Sequence, residues 1–221
     1  MTTAVDTLAL HTSYLTLDAR HRIVRDALVD AHLMHRLIMS GWREDLFPGE
    51  ERPRANVGIL YALAPGTDNR VRVVVQANTP PNWAFDEGVV LGGVDHRTRH
   101  APLTGDISFQ LIAAPRKSSG DRVRTDSGSL SRGKTFPLPA AEREDWGRRT
   151  LTRAGVEVID ITVRPGGRLQ SAKKSLQHNT VIYSGTARIT DADAHRAALV
   201  EGVGPAKAYG CGLLLTRATS V

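Results

Sequence analysis

Between residues 106 and 221, strand-like and helix-like segments follow one another in the order β-α-β-β-α-β, which is the order of a ferredoxin-like, or RRM-like, domain. The string DISFQLIAA (106–114) alternates apolar and polar residues and predicts a strand. PAAEREDWGRRTLTRAG (139–155) predicts a helix, with Pro139 and acidic residues at its start, arginines near its end and Gly155 as its stop. VEVIDITVR (156–164) and NTVIYSGTARIT (179–190) predict two more strands. DADAHRAALVEG (191–202) predicts a second helix behind an Asp cap, and LLLTRA predicts the closing strand. Phe109 and Tyr183 fall inside strand patterns and are expected in the core.

The first half reads as a degenerate copy of the same unit. LALHTSYLTL (8–17) predicts a strand. The helical spacing of Ile23, Leu28, Leu33, Leu37 and Ile38 follows, with a break near Asp30, which can act as an N-cap, and a stop at Gly41. NVGILYAL (56–63) and RVRVVVQA (70–77) predict a hairpin turned by APGTDN. Residues 86–105 are Gly-rich and give no pattern. The expected fold is α+β: two tandem ferredoxin-like domains, 1–105 and 106–221, resting on element order alone. A single continuous α+β domain is the competing view.

Composition narrows the function classes. One cysteine, Cys211, excludes a disulfide framework and a Cys-rich zinc site. No apolar run is long enough for a membrane span, and MTTAVDTLAL lacks the features of a signal peptide, so a cytoplasmic protein with no membrane partner is expected. Residues 1–105 carry 11 Arg, no Lys and 12 acidic residues. Residues 106–221 carry 18 basic and 11 acidic residues. A neutral half joined to a basic half points to a polyanion partner. The scarcity of aromatics, 5% of the chain, disfavours a single-strand binder that stacks successive bases.

Four glycines, Gly202, Gly204, Gly210 and Gly212, lie in the eleven residues GVGPAKAYGCG (202–212). Phosphate-binding loops run strand, Gly loop, helix, but here the order is helix, loop, strand. The P-loop and Rossmann spacings are absent, so no nucleotide cofactor is expected. The loop can instead be a helix cap with a tight return into an edge strand. It can also be a close approach of backbone to RNA or to the first domain, with Lys207 offering a charge to a polyanion.

His32 and His35 are spaced i, i+3 and share one face of the first helix. Two imidazoles can supply a base for a ribose 2′-OH and an acid for the departing 5′ oxygen. That step takes in no water and needs no metal. No carboxylate or cysteine completes a metal site at familiar spacing. Arg36 can bind phosphate or pair with an acid. PRKSSGDRVRTDSGSLSRGK (115–134) holds six basic and two acidic residues and suits A-form RNA backbone, led by Arg116, Lys117, Arg122 and Arg124. VRPGGRLQSAKKSLQHN (163–179) is a second basic turn, with Arg164, Lys173 and Lys174 as candidates and His178 behind them.

GVGPAKAYGCGLL resembles the signature Gly-rich loop of the CRISPR repeat-associated proteins, and among them the CasE family. AHLMHRLIM (31–39) resembles that family's first-domain helix, and the basic segment after FQLIAAPRK resembles its strand and RNA-contacting ribbon. The matches spread over nearly the whole chain. The resemblance implies a metal-independent endoribonuclease without cofactors. It would recognise the stem-loop of CRISPR repeat RNA, cut at the 3′ base of the stem and hold the mature crRNA among other Cascade subunits. His35 falls on the family's catalytic histidine. His32 falls where some members carry a tyrosine, and Lys174 aligns with a lysine near the cleaved phosphate, where a cation would stabilise the transition state. A non-catalytic RNA-binding subunit is the alternative. A metabolic enzyme for an acidic small molecule, with no RNA affinity, is the third reading.

Overall fold

The computed structural model describes residues 6–42, 57–66, 68–118, 135–171 and 176–219. Two four-stranded antiparallel sheets carry the fold. The first contains β1 (Thr7–Asp18), β2 (Leu60–Pro65), β3 (Arg70–Ala77) and β4 (Asp95–Pro102), in the order β2-β3-β1-β4. The second contains β5 (Asp106–Ala113), β8 (Val156–Ser171), β9 (Leu176–Ile189) and β10 (Leu214–Ala218), in the order β10-β5-β9-β8. Numbered within each unit, both sheets run 4-1-3-2, the ferredoxin-like arrangement expected from element order. A short ribbon, β6 (Arg116–Ser118) with β7 (Thr135–Pro137), stands off the second sheet.

The helical segment of the first half divides where the sequence places its break. Helix α1 (Arg22–Val29) ends at Asp30, whose backbone is extended, and α2 (Ala31–Met39) begins there. The Asp30 carboxylate accepts from the His32 backbone N–H at 2.8 Å, an N-cap that holds the start of α2. Val24 and Ala27 of α1, with Met34 and Ile38 of α2, pack on Leu15, Leu17, Val73 and Val75 of the sheet.

Two parts of the first unit depart from the expected pattern. β2 starts at Leu60 and not at 56, because Gly58 sits at φ +65° in a turn whose Val57 carbonyl accepts from the Asn78 N–H. Between β3 and β4 no helix forms. Aromatic side chains cover the sheet there instead: Trp83 packs on Trp42 and Phe85, and its indole N–H donates to the buried Ser13 hydroxyl at 2.9 Å. β4 lies within 86–105, and that segment shows no period because Asp95–His100 is polar and largely exposed and carries no apolar alternation.

The second unit places α3 (Arg143–Arg153) and α4 (Ala192–Glu201) on one face of its sheet. Leu151, Ala198 and Leu199 cover Ile107, Phe109, Leu111 and Tyr183, and both aromatics expected in the core are there. Asp191 caps α4 by accepting from the Ala194 N–H. β8 runs to Ser171, well past the expected end at 164, so β8 and β9 form a hairpin longer than the rest of the sheet.

The face of the first sheet opposite its helices docks on the second unit. Leu60, Ala62 and Leu213 form a buried cluster with Val74, Ile112 and Leu215 around it. Beside it lies a buried polar bridge. The Gln76 amide donates to the Leu199 carbonyl at 2.7 Å, and its oxygen accepts from Arg99, which also donates to the Thr216 carbonyl. Burial lowers the pKa of Arg99 from its ordinary value. Gln76→Ala strips a partner from two buried groups at once. We expect it to cost about 2 to 3 kcal/mol, read as a lower urea midpoint at unchanged slope. Asp95→Asn, which breaks an exposed pair with Arg97, is expected to cost under about 0.5 kcal/mol.

His195 is fully buried, with Nδ1 3.3 Å from the Ala154 carbonyl, and burial lowers its pKa from 6.5. The unfolded chain therefore takes up this proton more readily than the folded one. Its stabilising contribution is complete above 6.5 and is lost as pH falls below that value. Urea unfolding at pH 7 and pH 5 should show the lower free energy at pH 5, and equal stability would contradict the assignment.

Candidate active site and nucleic-acid interface

The Gly loop approaches the first sheet. Gly202 and Gly210 both lie at φ near +80°, a region that favours glycine. A Cβ on Gly202 would sit 2.6 Å from Leu60 Cδ2, and one on Gly210 would sit 3.0 Å from the Tyr61 ring. The loop closes on itself through Val203 N–H to Gly212 O and is anchored to β5 through Gly212 N–H to Ile112 O. Tyr61 reaches across and donates its hydroxyl to the Ala208 carbonyl at 3.1 Å. Of the readings open for this loop, close approach to the first unit is therefore realised.

That approach delivers a side chain the sequence reading left unweighted. Ala206 is held at φ +62°, a costly conformation for a residue with a Cβ, and a 3-10 turn follows at Lys207–Tyr209. The turn sets the Tyr209 ring edge-on to His35, with ring centroids 6.3 Å apart and planes at 68°. Its signal was present in the sequence, as the one aromatic in the Gly-rich string.

His35 and His32 are both half-buried on α2. The Ser171 hydroxyl beside Asp30, followed by the backbone N–H groups of His32 and Leu33, holds the Asp30 carboxyl below its usual range. The negative charge at the head of α2 is thereby fixed where it favours the helix. Ser171 ends β8, and the preceding Arg168, Leu169 and Gln170 line a narrow crevice with Ala31, Met34 and Tyr209. Three elements therefore converge: α2 with its histidines, the Gly-loop turn, and the far end of β8.

The other candidates distribute around this point. Arg36 is exposed and borders a shallow groove with Asp26 and Leu33. Lys207 is half-buried, and its Cγ would lie 3.2 Å from a Cβ on Gly212. Arg164 is exposed on β8. Arg116 and Lys117 stand on the β6–β7 ribbon. Lys117 pairs with Glu142 at 2.9 Å, while Arg116 donates to the Thr135 carbonyl and approaches His178. Arg122, Arg124, Lys173 and Lys174 lie outside the described residues. Cys211 is buried, which pushes its thiol up to about 12 and leaves no thiolate for chemistry. Among the described residues, no group of three or more His, Cys, Asp or Glu could hold a metal ion, and no helix is long and apolar enough to cross a membrane.

A family model described as CRISPR associated protein matches residues 10–217. The chain belongs to the CRISPR-associated protein family. This CRISPR-associated protein is 28% identical over 219 residues to the CRISPR-associated endoribonuclease Cse3 of Thermus thermophilus, covering 90% of this chain and 96% of that one. It is 36% identical over 110 residues to the CRISPR system Cascade subunit CasE of Escherichia coli, covering 48% of this chain and 55% of that one. The structure of Thermus thermophilus Cse3 bound to an RNA representing a pre-cleavage complex matches with a TM-score of 0.76 at 28% identity, covering 95% of this chain and 100% of that chain. The resemblance to the CasE family read from the Gly loop and the AHLMHRLIM helix is borne out.

The Gly loop of this CRISPR-associated protein should tolerate a side chain less well than an open turn elsewhere in the chain. Gly202→Ala combines positive φ with a clash against Leu60 and is expected to cost about 2 to 3 kcal/mol. Gly93→Ala has the same kind of φ but open space around it, and about 1 kcal/mol is expected. Equal urea midpoints for the two variants would show that the loop does not press on the first sheet.

Proposed function

We propose that the chain is a CRISPR-repeat endoribonuclease that recognises the stem-loop of the repeat RNA and cuts at the 3′ base of the stem. The reading is carried by one observation: the half-buried His35 is backed edge-on by Tyr209 at the point where α2, the Gly loop and the end of β8 converge. It is supported by end-to-end similarity to a Cse3 endoribonuclease and to its RNA-bound structure.

In the proposed chemistry a base removes the 2′-OH proton and the oxygen attacks the adjacent phosphorus. The P–O5′ bond breaks, and an acid returns a proton to the departing 5′ oxygen. The products are a 2′,3′-cyclic phosphate and a free 5′-OH. His35 serves one of these proton transfers. His32, one turn earlier on the same face, is the candidate for the other, and Tyr209 fixes the plane of the His35 ring. Lys174 is assigned to the extra negative charge of the transition state. Arg36, Arg116, Lys117, Arg122, Arg124, Arg164, Lys173 and Lys207 form the proposed phosphate track. The domains divide between residues 105 and 106, so the catalytic helix comes from one and the RNA track mainly from the other. The processed crRNA stays bound, and the protein works as a subunit of Cascade in the cytoplasm.

The test uses a labelled repeat stem-loop in the presence of EDTA. His35→Ala is expected to lower the cleavage rate by about 10²- to 10⁴-fold with RNA affinity nearly unchanged. Tyr209→Ala is expected to lower kcat with little change in KM, and Tyr209→Phe is expected to restore it. Tight binding without cleavage by the wild type would instead make the chain a non-catalytic guide-RNA holder.

A further inference from the structure

A second polar site lies away from α2, between the β6–β7 ribbon and the β8–β9 hairpin. It is a pocket of about 610 Å³ bordered by Arg116, Thr135, Arg168, Gln177, His178 and Asn179. No carboxylate is among the described residues that line it. His178 is 9% exposed, and Arg116 Nη1 lies 3.5 Å from its Nε2. A guanidinium can only donate, so Nε2 is the acceptor and the ring proton resides on Nδ1. That buried Nδ1 has only the Gln177 backbone beside it, and Nε of Arg116 is buried with no partner among the described residues. An unpaired buried guanidinium N–H and a poorly satisfied imidazole N–H in a cation-lined pocket call for an anion with several acceptor oxygens.

We infer that this pocket is a phosphodiester-binding site, in which Arg116, Arg168 and His178 hold one backbone phosphate of the RNA away from the cut. The inference rests on the RNA reading proposed above. The sequence builds the pocket deliberately. The register of β8 on β9 shifts between Pro165 and Arg168, a bulge that re-aims the strand. Thr180 donates to the Gly167 carbonyl inside it, and a Cβ on Gly166 would come within 3.0 Å of the Thr180 backbone. Arg168, exposed just beyond the bulge, borders both this pocket and the crevice beneath α2 and Tyr209. One strand segment thus connects the phosphate pocket to the proposed cleavage point, so a phosphate seated here sets the register of the strand that reaches His35.

The site also has a proton linkage. Burial, then the Arg116 charge, lowers the pKa of His178 from its ordinary value against a smaller opposing pull from the Gln177 backbone, so the ring resists protonation in the free protein. The charged groups facing it from the surrounding strands are Arg116 on β6 and Arg168 on β8, both cations. A bound phosphate reverses the local charge and favours the imidazolium. RNA affinity should therefore rise as pH falls from 7.5 toward 6, and part of that rise belongs to His178.

The experiment measures binding of a repeat stem-loop carrying a 2′-deoxy sugar at the cleaved nucleotide, across salt concentrations and at pH 7.5 and 6. Arg168→Ala is expected to weaken binding about 10-fold and to reduce the slope of log Kd against log salt by about one. His178→Gln is expected to lose part of the pH-dependent gain. Arg20→Ala, on an exposed turn with Asp18, is the folded control. Wild type that binds RNA while Arg168→Ala keeps both affinity and slope overturns the phosphate site and leaves the RNA reading intact. Unchanged RNA binding with lost retention by other Cascade subunits gives the pocket to a protein carboxylate, and also overturns it. Wild type that fails to bind the RNA at all overturns the RNA reading and this inference with it.

Discussion

The docking of the second unit on the bare face of the first sheet is the constraint on which the rest of the molecule depends. Each ferredoxin-like sheet covers one face with helices, or with aromatic loops where a helix is missing, and leaves the other open. The two open faces meet over the Leu60–Ala62–Leu213 cluster. Apolar contact of this kind is not directional. Direction comes from the Gln76 bridge, which ties the last turn of α4 to β3 and, through Arg99, to β10. A buried amide with a donor to one unit and an acceptor used by the other admits few alternative registers, because any slip leaves charged or polar groups unpaired.

The Gly loop exploits that fixed docking. It is the C-terminal extension of the same contact: Gly202 lies on Leu60, Gly210 lies on Tyr61, and the turn between them ends at Tyr209. Strain at Ala206 is tolerable only because both ends of the loop are pinned, one by α4 and the other by the β5 backbone. The outcome is a helix from the first unit whose histidine is braced by an aromatic from the second. Neither unit alone contains both parts. A catalytic group positioned by rigid elements on both sides loses little orientational freedom when RNA arrives, which is the condition under which general acid–base chemistry is effective.

Much of this was legible in the sequence where a period or a cap was present. The β-α-β-β-α-β order, the break at Asp30, the Asp191 cap and the core roles of Phe109 and Tyr183 all rest on local rules that the fold obeys. The i, i+3 spacing put His32 and His35 on one face for the same reason. β4 was not legible within 86–105, because Asp95–His100 is polar and largely exposed and shows no apolar alternation. Tyr209 was passed over since aromatics were weighed as core or stacking residues, while its role depends on a contact made 174 residues away in sequence, with His35. Arg168 was missed for a related reason. Its direction is set by a bulge, and a bulge depends on the opposing strand as much as on the Pro-Gly-Gly string that permits it.

The distribution of charge follows from the same architecture. The first unit stays close to neutral, while the second carries the net positive charge of the chain. Cations along β6 and β8 attract a polyanion to the second unit. At His178, the Arg116 charge adds to burial in lowering the ring's pKa. The structure sets the Tyr209 ring beside His35 and the Arg116 guanidinium beside His178. Under the proposed function, these two environments divide reacting from holding, with β8 running between them.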